Sequence, residues 1–138
     1  MTEIDFYTKV TDRLDVAARL CAKALGLGKR VRVLTADAAM TARLDQLLWM
    51  VPATGFIPHC RLSSALAEHT PVLIDDAQEH AGPAEVLVNL HPQQPAFFRR
   101  FDRMAEIVSI ADDDVTAGRT KWHYYKQQGY TLRVHDLS

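Results

Sequence analysis

Only two cysteines occur in this sequence, Cys21 and Cys60. Cys21 falls within an apolar helical pattern and the pair lacks the spacing of a zinc site, so a reducing compartment is the simpler reading. An excess of one charge is also missing: Lys and Arg number 16, Asp and Glu 17, and the formal net charge is −1. So balanced a chain has no overall electrostatic grip on a nucleic-acid backbone, and any basic site must be local. No apolar run approaches the ~18 residues of a membrane helix. The opening MTEIDFYTKV holds an early acid pair and no apolar signal core, which makes the cytoplasm the expected location. Repeats, low-complexity tracts and linkers are absent too. What remains is 138 residues, 48% hydrophobic and 24% charged. That suits one globular domain, residues 1–138, burying roughly two-thirds of its unfolded surface.

The pattern along the chain alternates strand and helix. Ile4, Phe6 and Tyr7 start a strand. A helix follows with Thr11 or Asp12 as N-cap; Leu14, Ala17, Ala18, Cys21, Ala22 and Leu25 recur at helical spacing, and Gly26 and Gly28 stop it. VRVLTA reads as a strand. A second helix begins after Asp37, buries Met40, Leu44, Leu47 and Leu48, and ends at Pro52. PVLID, EVLVNL and EIVSI read as strands, and AFFRRF as a short helical turn. DDDVTAGRTKWHYYKQQG is a third helix, acidic in front and basic behind as the macrodipole favours, with Gly129 ending it before the strand YTLRVHDL. The order predicts an α/β fold: a three-layer domain with a mostly parallel sheet of about five strands and helices on both faces.

The machinery for gripping phosphate is missing. PVLIDDAQEH, residues 71–80, resembles the strand-plus-acid edge that holds magnesium in ATP-driven enzymes, with Asp75, Asp76, Glu79 and His80 as the chemical candidates. A P-loop requires GxxxxGK followed by Ser or Thr. The nearest stretch, KALGLGKRVRV, has Gly28-Lys29 but Arg30 in place of the hydroxyl and Lys23 in place of the first glycine. It also runs from helix to strand, the reverse of a P-loop. The six histidines (59, 69, 80, 91, 123 and 135) show no i, i+4 pair and flank no CxxC. His59-Cys60 has the residue types of a thiol nucleophile with its base, but chain neighbours rarely face each other.

Two segments carry surplus surface. In LLWMVPATGFIPH, residues 47–59, Trp49, Met50, Phe56 and Ile57 crowd a Pro- and Gly-containing turn. It is either a lid over the core or a protein-binding patch with aromatic anchors. In AGRTKWHYYKQQGYTLRV, Arg119, Lys121, Lys126 and Arg133 interleave with Trp122, Tyr124, Tyr125 and Tyr130. Arg119, Trp122 and Lys126 share a helical face. Such a segment suits an acidic peptide with an apolar end, single-stranded nucleic acid held by stacking and charge, or a plain half-buried amphipathic helix.

In this order and spacing the motifs resemble the chi subunit family of bacterial DNA polymerase III over nearly the whole chain. The resemblance rests on GKRVRVLTAD, on RLDQLLWMVPATGFIPH with its LDxxLW and FIPH, on FRRFDRMAEIVSI, and on GRTKWHYYKQQGYTL with its YYKxxGY. It implies a nucleotide-binding-like fold without the nucleotide site. It also implies an accessory subunit of the polymerase III holoenzyme, a nucleotidyltransferase assembly, with no catalysis, metal or cofactor of its own. The implied partners are the psi subunit, which leads to the clamp loader, and the acidic C-terminal tail of single-stranded DNA-binding protein, which ends in an apolar aromatic residue. An accessory helicase at the psi surface is a further one; nucleic acid is met only indirectly and no membrane is involved. Transferred to this chain, psi binding falls on Trp49, Phe56 and Ile57. Tail binding falls on Val108, Arg119, Lys121, Trp122, Tyr125, Lys126, Gly129 and Tyr130, with Arg119 meeting the terminal carboxylate and Lys121 or Lys126 the aspartates. The chain departs from the family where a lysine can stand one turn ahead of the arginine: here it is Val115, behind the acidic run Asp112 to Asp114. The other readings are a direct single-strand-binding module and a nucleotide- or metal-dependent enzyme.

Overall fold

A computed structural model describes residues 1–50 and 57–138. In chain order the elements are β1 (Glu3–Val10), α1 (Arg13–Gly26), β2 (Val31–Leu34), α2 (Ala38–Met50), β3 (His59–Cys60), β4 (Val72–Asp75), β5 (Val86–Asn89), β6 (Arg103–Ser109), α3 (Asp112–Gln127) and β7 (Leu132–Asp136). Short 3-10 turns lie at Ala67–His69 and Phe98–Arg100. The strands form one sheet in the order β3-β4-β2-β5-β6-β1-β7. Every pairing among the described residues is parallel. The count of about five strands is therefore corrected to seven. The two-residue β3 is too short to show an alternation, while β7, within the strand read from YTLRVHDL, extends the sheet past β1, pairing Ile4 with Leu132.

Local chemistry sets the helix ends. The Asp12 carboxylate accepts from the Leu14 and Asp15 amides at 3.1 and 3.2 Å, capping α1. Asp37 does the same for α2 through the Met40 amide at 2.8 Å. Gly28 (φ 72°) and Gly129 (φ 85°) take the left-handed turns that follow α1 and α3, as glycine readily does. Among the described residues no helix is long and apolar enough to cross a membrane.

The period of two along each strand splits the core between the faces. α1 and α2 cover one, packing Ala17, Ala18, Cys21, Leu44 and Leu48 on Val33, Ile74, Ala105 and Ile107. α3 and the turn at 97–101 cover the other, packing Tyr125, Phe97, Phe98 and Phe101 on Ile4, Phe6, Met104 and Val108. Glu106 lies between Met104 and Val108 and so projects toward α3. Arg32 interrupts the apolar run of β2, and its buried guanidinium donates to the carbonyls of Ala77, Glu79 and Asp75 and lies 5.1 Å from the centre of the Phe97 ring. Burial pulls its pKa down to about 10, against the opposing pull of Asp75, Glu79 and Asp76.

Candidate functional site

Of the three acids that open α3, Asp114 is tied back toward α1. Asp114 accepts from Ser109 Oγ and pairs with Arg13 at 3.2 Å, which ties the helix N-terminus to α1. One turn on, Gly118 lets the helix settle on Val108 of β6: a Cβ there would stand 2.9 Å from one Val108 methyl. Beside this contact opens a groove of about 390 Å³. Phe6, Val108, Ile110, Val115, Trp122 and Val134 give it an apolar lining, and Lys9 and Arg119 bring positive charge to it. The Trp122 ring stands edge-on to Phe6, with ring centres 5.1 Å apart. Among the described residues the exposed Arg119 makes no ion pair and no hydrogen bond, so its planar, five-donor head faces solvent.

The predicted tail-binding residues separate into three groups. Val108, Arg119 and Trp122 meet in the groove. Lys121 and Tyr125 project beneath the helix into the protein, where Glu106 accepts from Lys121 Nζ at 2.7 Å and from the Tyr125 hydroxyl at 2.6 Å. The Asn89 amide donates to both Glu106 oxygens at 3.0 and 2.9 Å, and Lys121 donates again to the His91 carbonyl at 3.0 Å. Burial, then the Glu106 charge, drives the Tyr125 phenol pKa upward, so it stays a donor. Lys121 is thus corrected from a peptide contact to a buried structural cation, and Tyr125 from a contact to a core residue; a carboxylate already sits on both. Lys126, Gly129 and Tyr130 form the third group, at the far end of α3 and outside the groove lining. There Tyr130 packs edge-on with Phe98 at 5.3 Å and Tyr125 at 6.5 Å.

At the other end of the sheet, Trp49 and Met50 close α2 with 60% and 72% of their surfaces exposed. Trp49 stands edge-on to His59 at 5.4 Å, and His59 Nε2 meets Asp45 at 2.9 Å. Phe56 lies outside the described residues. Ile57 is corrected from a surface anchor to a core residue: its side chain is 0% exposed and packs in the cluster under α2. α2 packs on β3 and β4, α3 on β6 and β7, so the two tryptophans occupy opposite faces and opposite ends of the sheet.

The acids after β4 serve the chain itself. Asp75 accepts from the Leu62 and Ala77 amides at 3.1 Å each and meets Arg61 at 3.4 Å; Arg61 also reaches Asp76 at 3.3 Å. Burial raises the Asp75 pKa, but Arg61 and the two amides outweigh it and hold the group below the usual carboxylate range. The Glu79 carbonyl is engaged by Arg32 and the His80 ring bonds the Pro83 carbonyl. Among the described residues no group of three or more His, Cys, Asp or Glu is placed to hold a metal ion.

Several groove residues escaped the sequence reading as site residues, among them Phe6, Lys9, Ile110, Gly118 and Val134. Gly118 alone left a signal, because glycine inside a helix costs about 1 kcal/mol and calls for a close approach to explain it.

Comparison with known proteins places these surfaces in a family. Residues 1–133 match the family model described as DNA polymerase III chi subunit, HolC. The chain is 36% identical to the DNA polymerase III subunit chi of Pseudomonas aeruginosa, over 99% of this chain and 98% of that one. It is 24% identical to the Haemophilus influenzae subunit chi, over 89% and 86%, and 27% identical to that of Escherichia coli, over 78% and 74%. With the groove and the exposed tryptophan corner thus carried on a match that spans almost every residue, the chain belongs to the DNA polymerase III chi subunit family.

Proposed function

We propose that this protein is a non-catalytic adaptor of the bacterial replication machinery, working in the cytoplasm at the fork. The α3 groove holds the acidic C-terminal tail of single-stranded DNA-binding protein, and the Trp49 corner holds the psi subunit of the clamp loader. The observation that carries this reading is Arg119, an arginine with no partner inside the described protein, beside an apolar groove large enough for an aromatic side chain. The separation of the surfaces supports it too: six inter-strand steps of ~4.8 Å, about 29 Å, lie between the sheet edges, so both partners fit at once.

The energetics suit a tether that is made and released often. An exposed ion pair contributes ~0.2–1 kcal/mol, so several fall short of the roughly 8 kcal/mol of micromolar binding. Burying an aromatic end adds about 2–3 kcal/mol, and a bidentate bond from Arg119 to a carboxylate about as much again. Affinity is therefore modest, salt-sensitive and dependent on groove and arginine together. Several tails at one fork multiply it through effective concentration. Stacking of bases finds less support, since the rings of Trp122 and Tyr130 are engaged edge-on with Phe6 and Phe98.

The test is a titration, followed by fluorescence anisotropy, of the protein into a labelled acidic peptide ending in Phe, at low and high salt. Binding at low salt that weakens with salt, and by about tenfold or more in Arg119→Ala, is expected. Absence of binding at low salt, or unchanged affinity in Arg119→Ala, overturns the tail assignment. For the second surface, Trp49→Asp is expected to abolish co-purification with psi while the fold survives; intact pairing rejects that surface.

A further inference from the structure

Lys9 sits in an unusual place. Its φ of 58° lies in the left-handed region, which few non-glycine residues adopt, and the β1–β6 register shifts between Tyr7 and Val10 on either side of it. That irregularity brings an end of β1 to the α3 groove, so Lys9 and Arg119 line the same space from different elements. The chain's own carboxylate already meets it: Lys9 Nζ lies 3.1 Å from Asp136 Oδ2, with the two side chains 62% and 49% exposed. The Leu137 amide, donating to the Thr8 carbonyl at 3.0 Å, holds that segment against β1. On α3, meanwhile, the position one turn ahead of Arg119 is Val115, so the helix brings a single cation to the groove.

We propose that Lys9 is the second cationic anchor for the acidic peptide and that Asp136 occupies it as an internal stand-in, which an aspartate of the peptide displaces. This rests on the groove taking an acidic tail, as proposed above. An ion pair this exposed is weak and exchanges readily in water. Displacement swaps one carboxylate for another at Lys9, and Asp136, already half exposed, turns to solvent. The Asp136 carboxyl is held charged, down to about 2, by hydrogen bonds from Ser138 and then by Lys9, so mild acid does not lift the competition. In this arrangement β1, not α3, supplies the charge that selects an acidic sequence over a merely apolar one.

The experiment is a double-mutant cycle on the full chain, read by anisotropy with a labelled peptide that carries several aspartates and ends in Phe, at low salt. Lys9→Gln is expected to weaken binding about three- to fivefold, and Asp136→Asn to tighten it about two- to threefold. In the Lys9→Gln background, Asp136→Asn is expected to change nothing, because both act through one ammonium group. A peptide with its aspartates replaced by asparagines should bind wild type and Lys9→Gln alike. If wild type binds and Arg119→Ala does not, yet Lys9→Gln and Asp136→Asn behave as wild type, the Lys9 assignment is overturned while the groove stands. If wild type fails to bind, the groove reading falls and this inference with it. Melting temperatures equal to that of the wild type are the check that both exposed substitutions leave the fold intact.

Discussion

Gly118 of α3 rests on Val108 of β6 so closely that a Cβ at position 118 would stand 2.9 and 3.2 Å from the two valine methyls. Valine has one stiff torsion and no flexible end to withdraw. The helix and the strand therefore share a contact that only glycine permits, at the floor of the groove.

Gly118→Ala is accordingly expected to cost more than it gains. Overpacking costs about 1–3 kcal/mol, offset by about 1 kcal/mol of helix propensity. Urea denaturation should show a net loss of up to about 2 kcal/mol. Peptide affinity should fall further than stability, since lifting α3 moves Arg119 and Trp122 together. Unchanged affinity would show that the groove tolerates a shifted helix.

Lys121→Met leaves Glu106 buried with its main cation gone, while Asn89 and Tyr125 still donate to it. Breaking one side of such a pair costs about 3–5 kcal/mol. Removing both charges, in Lys121→Met with Glu106→Gln, should recover much of that loss in the same denaturation assay. A peptide-binding defect without a stability defect would return Lys121 to the recognition surface.

Asp5 on β1 sits among cations: Arg103 at 3.0 Å, Arg133 at 3.0 Å and His135 at 3.0 Å. Burial raises its pKa, but hydrogen bonds from His135 and Arg103 and the charges of Arg133 and Arg103 outweigh that and leave it below 3.8. A carboxyl so lowered stabilises the fold fully above its unfolded value and loses that contribution as the pH falls through its folded value. Asp5→Asn should lower stability at pH 7 by about 1 kcal/mol, a charged hydrogen bond discounted for half-exposed partners. It should also flatten the loss of stability seen as the pH falls below the ordinary carboxylate range of about 4. Equal acid sensitivity in mutant and wild type would place the titrating group elsewhere.

The two thiols should report different events. Cys21 lies on the buried face of α1, and burial pushes its thiol up to about 12, so an alkylating reagent reaches it only when the protein opens. Cys60, half-buried on the edge strand β3, should label first. Mass spectrometry of a labelling time course checks the order, and Cys21 labelling at the Cys60 rate would mean that α1 opens locally.

Where the sequence was readable, the signals were local. Asp12, Asp37 and Gly129 announce helix ends because a side-chain oxygen or a missing Cβ acts within a few residues. Arg119 and Trp122 stood out as a basic and aromatic helical face, whereas Val108 came only from the family's motifs, because nothing in periodicity separates a groove-lining valine from a core one. The failures concern distant partners. Lys121 and Arg119 are both cations, and the helical wheel puts them on nearly opposite faces; that the Lys121 face is the buried one depends on Glu106 facing α3, a matter of β6 register. Ile57 looked exposed because its turn was read apart from the core it enters. Lys9 gained meaning only when β7 brought Asp136 alongside, more than a hundred residues away.

The sheet order has a temporal side. β1 lies inside the sheet, its hydrogen bonds shared between β6 and β7, so Ile4 waits for Met104 and Leu132 before it has neighbours on both sides. Pairings so remote close slowly, since a long loop must be ordered before they repay it. The groove draws on these same late-joining pieces, so a chain ending before Arg103 would lack it, and a tail bound as proposed would meet only finished molecules.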